Sequence, residues 1–243
     1  MTTSEIRLPL TPARVVAAAM ALADADGLPA LTMRRLAADL GVEPMSLYHH
    51  VPGKDQLLDG LAEAVLAEVA TAVGAAVRDD DDWRTALRAR CLAARTVMVR
   101  HRWAPGLLGS RRSIPAGLYP YYEEILATMV RGGVSYHLAH RAIHALGTMV
   151  LGFTQELFSP DSAGGTLDEE AAEADFTAMA EALPHLTAMV AAEVHDNAED
   201  PLGWCDSQNE FEFTLDLLLQ GLASDITVAS ARVLKKYRDA RWI

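Results

Sequence analysis

Gly41 sets the tightest constraint on how this 243-residue chain can fold. It stands inside LTMRRLAADLGVEPMSLYHHVPGK, residues 31–54, between two short segments that both read as helix. Thr32 is a good N-cap for the first, which runs to Leu40. Pro44 suits the first position of the second, which runs to about His50. Leu36, Ala37 and Leu40 give the first segment an apolar face, and Val42 and Leu47 can pack the second against it. A glycine at the turn reaches positive φ at little cost. The pattern predicts two short helices, one serving as a scaffold that holds the other outward.

The rest of the chain repeats helical spacing. Thr11 and Pro12 open a helix that Gly27 ends. A long amphipathic helix is predicted over 54–77, with Leu57, Leu58, Leu61, Val65, Leu66 and Val69 on one side. The aspartates 79–82 read as a solvated linker capping a helix over 82–100. Between 103 and 120, three prolines and three glycines leave room for one short helix. Further helices are expected over 121–131, 135–158, 168–182, from Pro184 to about 195, and over 209–224. Loops are expected at 159–165 and 197–203, and a last basic segment contains Arg232, Lys235, Lys236 and Arg238. Half of the residues (51%) are hydrophobic, many of them Ala and Leu, so an all-α fold with a substantial core is predicted. The apolar run 15–23 leads directly into the helical pattern and is read as helix, not as a leader. No apolar run reaches the ~18 residues of a membrane span.

Function is written in the second short helix. Pro44, Met45, Ser46, Tyr48, His49 and His50 cannot all be buried in so short an element. Ser46 and Tyr48 can donate to phosphates or bases, and Pro44 and Met45 can touch thymine methyls. Arg34 can reach a guanine edge. Lys54, at the start of the next helix, favours a phosphate together with that helix's amides. The net charge of −12 excludes a protein that coats nucleic acid or an anionic membrane non-specifically. Residues 61–243 carry −10 of it and residues 1–60 only −2, which leaves a small local reading site available. There is no Gly-x-Ser-x-Gly, His-Glu-x-x-His or phosphate-cradling glycine loop, so no enzyme is read here. Cys91 and Cys205 form neither a Cys-x-x-Cys nor a disulfide framework and read as small buried apolar residues of a cytoplasmic protein.

These residues resemble the N-terminal domain of TetR-type transcriptional repressors. The match is carried by Leu31-Thr32, Leu36-Ala37, Leu40-Gly41-Val42, Leu47-Tyr48-His49-His50-Val51 and Lys54 with Leu57-Leu58, within residues 10–75. A weaker likeness, in helix number and order, extends over the remainder and is similar to the tetracycline-repressor type of C-terminal domain. The resemblance implies a helix-turn-helix head over 1–56 and a ligand-binding, dimerising body over 57–243, linked by the helix at 54–77. It implies double-stranded DNA as partner, contacted by Thr32, Arg34, Pro44, Met45, Ser46, Tyr48, His49, His50 and Lys54. Glu43 stands where many members carry a capping serine, so the cap on the recognition helix is expected to be weak.

The same resemblance implies a homodimer that binds a palindromic operator and is released by a small-molecule effector. The alternative is a DNA-binding regulator with no such effector. The effector candidates are Trp103, Leu107, Leu108, Tyr121, Tyr122, Ile125, Met129, His144, Thr148, Met149 and Phe153. Tetracycline-binding members use a His for magnesium and a Gln for the drug. Leu107 and Ile125 fall at those places, so a more apolar effector, with no cofactor and no resident metal, is expected. Glu156 matches an acidic position of that family. His137, His140 and His144 share one helix face and can line a pocket or bind a metal. Helices near 142–157 and 208–223, with Gly147 and Gly152 permitting close approach, are the expected dimer faces.

Overall fold

The computed structural model describes residues 9–154, 182–193 and 207–239, with 190–193 and 226–239 as backbone only. Among the described residues every regular element is helical, and none is long and apolar enough to cross a membrane. The chain divides into two compact units, at residues 144 and 145.

The first unit holds α1 (Pro12–Asp26), a short 3-10 turn (Leu28–Ala30), α2 (Met33–Leu40), α3 (Pro44–Tyr48), α4 (Lys54–Ala76), α5 (Trp83–Arg100), α6 (Ala104–Ser110), α7 (Leu118–Arg131) and the start of α8 (Tyr136–Gly152). Its boundaries follow from local chemistry. Thr11 Oγ1 accepts from the Arg14 N–H and Thr32 Oγ1 from the Arg35 N–H, each at 3.2 Å. These bonds satisfy amides that a helix start leaves unpaired. Gly27 and Gly41 turn the chain at φ of 78° and 65°, values that side chains resist. Asp82 caps α5, accepting from the Thr85 N–H at 3.1 Å, the Thr85 hydroxyl at 2.9 Å and the Arg84 N–H at 2.8 Å. These bonds, those from Thr85 foremost, hold its carboxyl below the usual carboxylate range.

One apolar cluster joins Val15, Ala19 and Leu22 of α1 to Leu36 and Ala37 of α2, Leu47 of α3, Leu57, Leu61 and Ala62 of α4, and Leu107 of α6. Further along α4, Val65, Leu66, Val69 and Val73 keep the buried stripe running, and among the described residues α4 with α5 is the most extensive helix pair.

Two starts and stops depart from the sequence expectation here. α3 ends at Tyr48 instead of His50, because the N–H groups of both His50 and Val51 close onto the Leu47 carbonyl. α7 starts at Leu118, three residues before the expected 121. Pro120 sits in its first turn, where a missing N–H breaks no helical bond. That turn is capped from outside: the Glu63 carboxylate on α4 accepts from the N–H of Ala116 at 2.5 Å and of Gly117 at 3.0 Å. At the far end of α7, a Cβ on Gly132 would lie 2.3 Å from the Trp83 ring, so only glycine fits.

The second unit contains the rest of α8, α9 (Pro184–Glu193) and α10 (Ser207–Asp239). α8 stops at Gly152, short of the expected 158. The Phe153 N–H still bonds to the Met149 carbonyl, but the Thr154 hydroxyl donates to the Leu151 carbonyl at 2.6 Å in a turn. α10 runs far beyond the expected 224, absorbing the basic segment, and Gly221 does not interrupt it. Phe211, Leu215 and Leu219 form its buried stripe, and Phe153 meets Phe211 edge-on at 5.8 Å. The helix expected over 168–182, the loops at 159–165 and 197–203, and the calls on Glu156 and Cys205 lie outside the described residues, apart from residue 182 itself.

Candidate nucleic-acid interface

α3 has five residues, too few to be stable alone. It is pinned by Leu47, which is fully buried and contributes about 2 kcal/mol by its removal from water. Everything else on it faces outward. Met45 is 69% and Tyr48 42% exposed, Pro44 is exposed and Ser46 half-buried. Among the described residues, an exposed methionine and tyrosine on a pinned one-turn helix have no packing purpose. Glu43 makes no side-chain cap, as its carboxylate in place of a serine predicts.

The neighbouring candidates gather around this helix's frame. Thr32 is exposed at the start of α2, its oxygen already accepting from Arg35, which leaves the hydroxyl proton to donate outward. Arg34 is exposed. Arg35 beside it is not available in the same way, since its guanidinium pairs with Asp26 of α1. His49 is exposed and His50 half-buried in the turn after α3. Lys54 is the exposed first residue of α4, which Gly53 leaves without a side-chain cap. Its free amides and the ammonium suit one phosphate.

The effector candidates are placed unevenly. Leu107 is buried in the apolar cluster of α1–α4, with Trp103 and Leu108 partly buried against the same cluster. On α7, Tyr121, Ile125 and Met129 follow one another at one-turn intervals, Ile125 and Met129 buried and Tyr121 half-buried. Burial, reinforced by Cys91, pushes the Tyr121 phenol up. Burial likewise pushes the Cys91 thiol up to about 12, so Cys91 behaves as the small apolar residue expected of it. Tyr122 and His144 are exposed. In the second unit Met149 is buried, Phe153 half-buried and Thr148 exposed. A cavity of about 460 Å³ lies between the α4–α5 loop, α5 and the end of α7. Arg78, Asp81, Arg90, Thr128 and Arg131 line it, and none of the effector candidates does.

His137, His140 and His144 are all exposed, and the rings of the last two meet edge-on at 4.8 Å. Among the described residues no three metal-ligating side chains converge.

One polar cluster escapes the sequence reading entirely. His101, buried at the end of α5, has Nδ1 2.7 Å from Asp24 of α1 and Nε2 3.1 Å from Glu68 of α4. Trp103 Nε1 donates to the same Asp24 oxygen at 2.6 Å, and Arg100 donates to Glu68 at 3.0 Å. No periodicity links positions 24, 68 and 101, and the only local signal was the basic pair Arg100-His101 at a helix end.

Comparison with known proteins agrees with this architecture. Residues 15–61 match the family described as "Bacterial regulatory proteins, tetR family". Residues 77–226 match the "Tetracyclin repressor-like, C-terminal domain". The chain belongs to the tetR family of bacterial regulators. Among tetR-family relatives, an HTH-type transcriptional repressor, DrrR1 of Streptomyces coeruleorubidus, is 39% identical over 122 residues, 50% of this chain and 44% of that protein. The alignment thus spans less than half the length of that relative. An HTH-type transcriptional regulator of Saccharopolyspora erythraea is 30% identical over 182 residues, covering 72% of this chain and 75% of that one. The tetR-family protein ActR of Streptomyces coelicolor, solved in complex with actinorhodin, superposes with a TM-score of 0.67 at 27% identity, covering 90% and 99% of the two chains.

Proposed function

We propose that the chain is a transcriptional repressor of the cytoplasm that binds a palindromic operator in double-stranded DNA as a homodimer and is released by a small, largely apolar effector. The observation that carries the DNA reading is α3: a helix held by one buried leucine that presents Met45, Ser46 and Tyr48 beside Lys54. Residues 1–56 act as the reading head and 57–243 as the body, with α4 as the lever between them. DrrR1 bears the name of a repressor, and ActR binds actinorhodin in its solved complex. Both support the assignment.

Within the second unit, Ala145, Gly147, Thr148 and Gly152 form an exposed stripe on α8, and Phe213 and Leu217 stand exposed on α10. A Cβ on Gly147 or Gly152 would meet nothing within 4 Å, so a second copy can approach α8 closely. One head reads one half-site, and two heads about 34–36 Å apart read successive major grooves. Tyr121, Ile125 and Met129, one turn apart on α7, are the apolar candidates for the effector within the first unit. A regulator without a small-molecule effector is the second reading, favoured by a 460 Å³ cavity that none of the effector candidates lines.

The test is selection of duplexes from a random library at ~150 mM salt, a concentration that suppresses purely electrostatic binding. Enrichment of one palindrome is expected. Recovery of no preferred sequence overturns the DNA reading, and light scattering that shows a monomer overturns the dimer.

A further inference from the structure

His101 is the point at which three separate stretches of the first unit are tied together. Its side chain is only 4% exposed, yet both ring nitrogens face carboxylate oxygens. Carboxylates accept only, so both bonds form when the ring carries a proton on each nitrogen. Arg100 adds a second bond to Glu68, so the two carboxylates hold the ring from two sides. Charge-assisted bonds of this kind are stronger than neutral ones, and stripping one partner from a buried ion leaves a costly orphan.

The two carboxylates belong to different parts of the molecule. Asp24 lies in the last turn of α1, whose other face carries Val15, Ala19 and Leu22 into the core beneath α2 and α3. Glu68 lies on α4, one turn beyond Val65 in the stripe that meets α5. The Trp103 indole adds a second bond to Asp24 from the start of α6. Apolar packing between α1 and α4 is non-directional and tolerates sliding. Bonds from one ring to both helices do not.

We propose that His101 is a positioning residue whose ring clasps α1 and α4 to the α5–α6 corner, holding α3 at one angle for DNA. The inference rests on the DNA-reading function proposed above. A head held at one angle meets its half-site without first being ordered, and ordering costs affinity.

The experiment uses the full chain and the duplex that it enriches from a random library. His101→Gln keeps the bulk and can bond one carboxylate but not span both. It is expected to weaken operator binding at least tenfold and to speed amide exchange in α1 and α4. Asp24→Asn is expected to weaken binding in the native background and to do little more in His101→Gln. Trp103→Phe, which removes a single donor, is expected to cost a few-fold and guards against a variant that fails to fold. Native affinity and native exchange in His101→Gln overturn the proposal, as do Asp24 and His101 effects that simply add. If the native chain enriches no duplex, the DNA reading falls, and exchange in α1 and α4 alone decides the clasp.

Discussion

α3 and α6 are two short helices that begin alike and end up in opposite employment. Both carry proline in the first turn, and neither is long enough to persist in water. α3 buries only Leu47 and turns Met45 and Tyr48 outward. α6 buries Ala104, Pro105 and Leu107, and Trp103 ahead of it is bonded to Asp24. One is held so that it can present a surface; the other is held because it joins two parts of the unit. The number of buried side chains separates a helix that displays from a helix that couples, and length does not.

That contrast can be broken at its anchors. Leu47→Ala and Leu107→Ala each remove a fully packed leucine from the same cluster and are expected to cost about 2–5 kcal/mol of stability, measured by chemical denaturation. A small effect at Leu107 would detach α6 from the cluster and end the comparison. Gly132→Ala tests an overpacked joint elsewhere in the unit. With Trp83 at 2.3 Å from the new Cβ, a loss of about 1–3 kcal/mol is expected, read as a lowered Tm.

The displayed side should respond in the opposite sense. Met45→Ala and Tyr48→Ala are expected to leave stability within about 0.5 kcal/mol while operator binding falls. Unfolding of either variant would show that α3 leans on more than Leu47. Lys54→Ala is expected to weaken binding to every sequence and to flatten the salt dependence by about one unit, as for a single phosphate contact. The smallest effect is expected at Asp82. Its folded carboxyl is held low, so the stability it adds is present above the unfolded carboxylate range and is lost as pH falls. Asp82→Asn should therefore be less stable than the native chain at neutral pH and converge with it in acid, as followed by thermal melts across pH.

The same contrast explains what could be read in advance. Thr11, Thr32, Gly41 and Pro44 act on their immediate neighbours, so α1, α2 and the start of α3 were legible, and the exposed chemistry of α3 with them. The missed boundaries came from residues whose local meaning tertiary context overrides. Pro120 reads as a breaker but sits harmlessly in the first turn of α7, which Glu63 caps across more than fifty positions of sequence. The helix expected to end at 224 continues through the basic segment to Asp239. The clasp at His101 was invisible because its partners lie 77 and 33 positions away with no repeating interval. Leu107 was legible as apolar but not as a member of the head's own cluster, since no spacing rule ties it to Leu36 or Leu61.

Leu107 in that cluster has a consequence for anyone who treats the head as a transplantable module. A chimaera that joins residues 1–56 to a foreign body carries Val15, Leu36 and Leu47 away from Leu57, Leu61 and Leu107, which share their buried cluster. Such a graft keeps every side chain proposed to read DNA and still exposes apolar surface at the seam. Swaps of DNA specificity are therefore best made by exchanging α3 side chains in place, and whole-head grafts need a matching aliphatic residue at the recipient's equivalent of position 107.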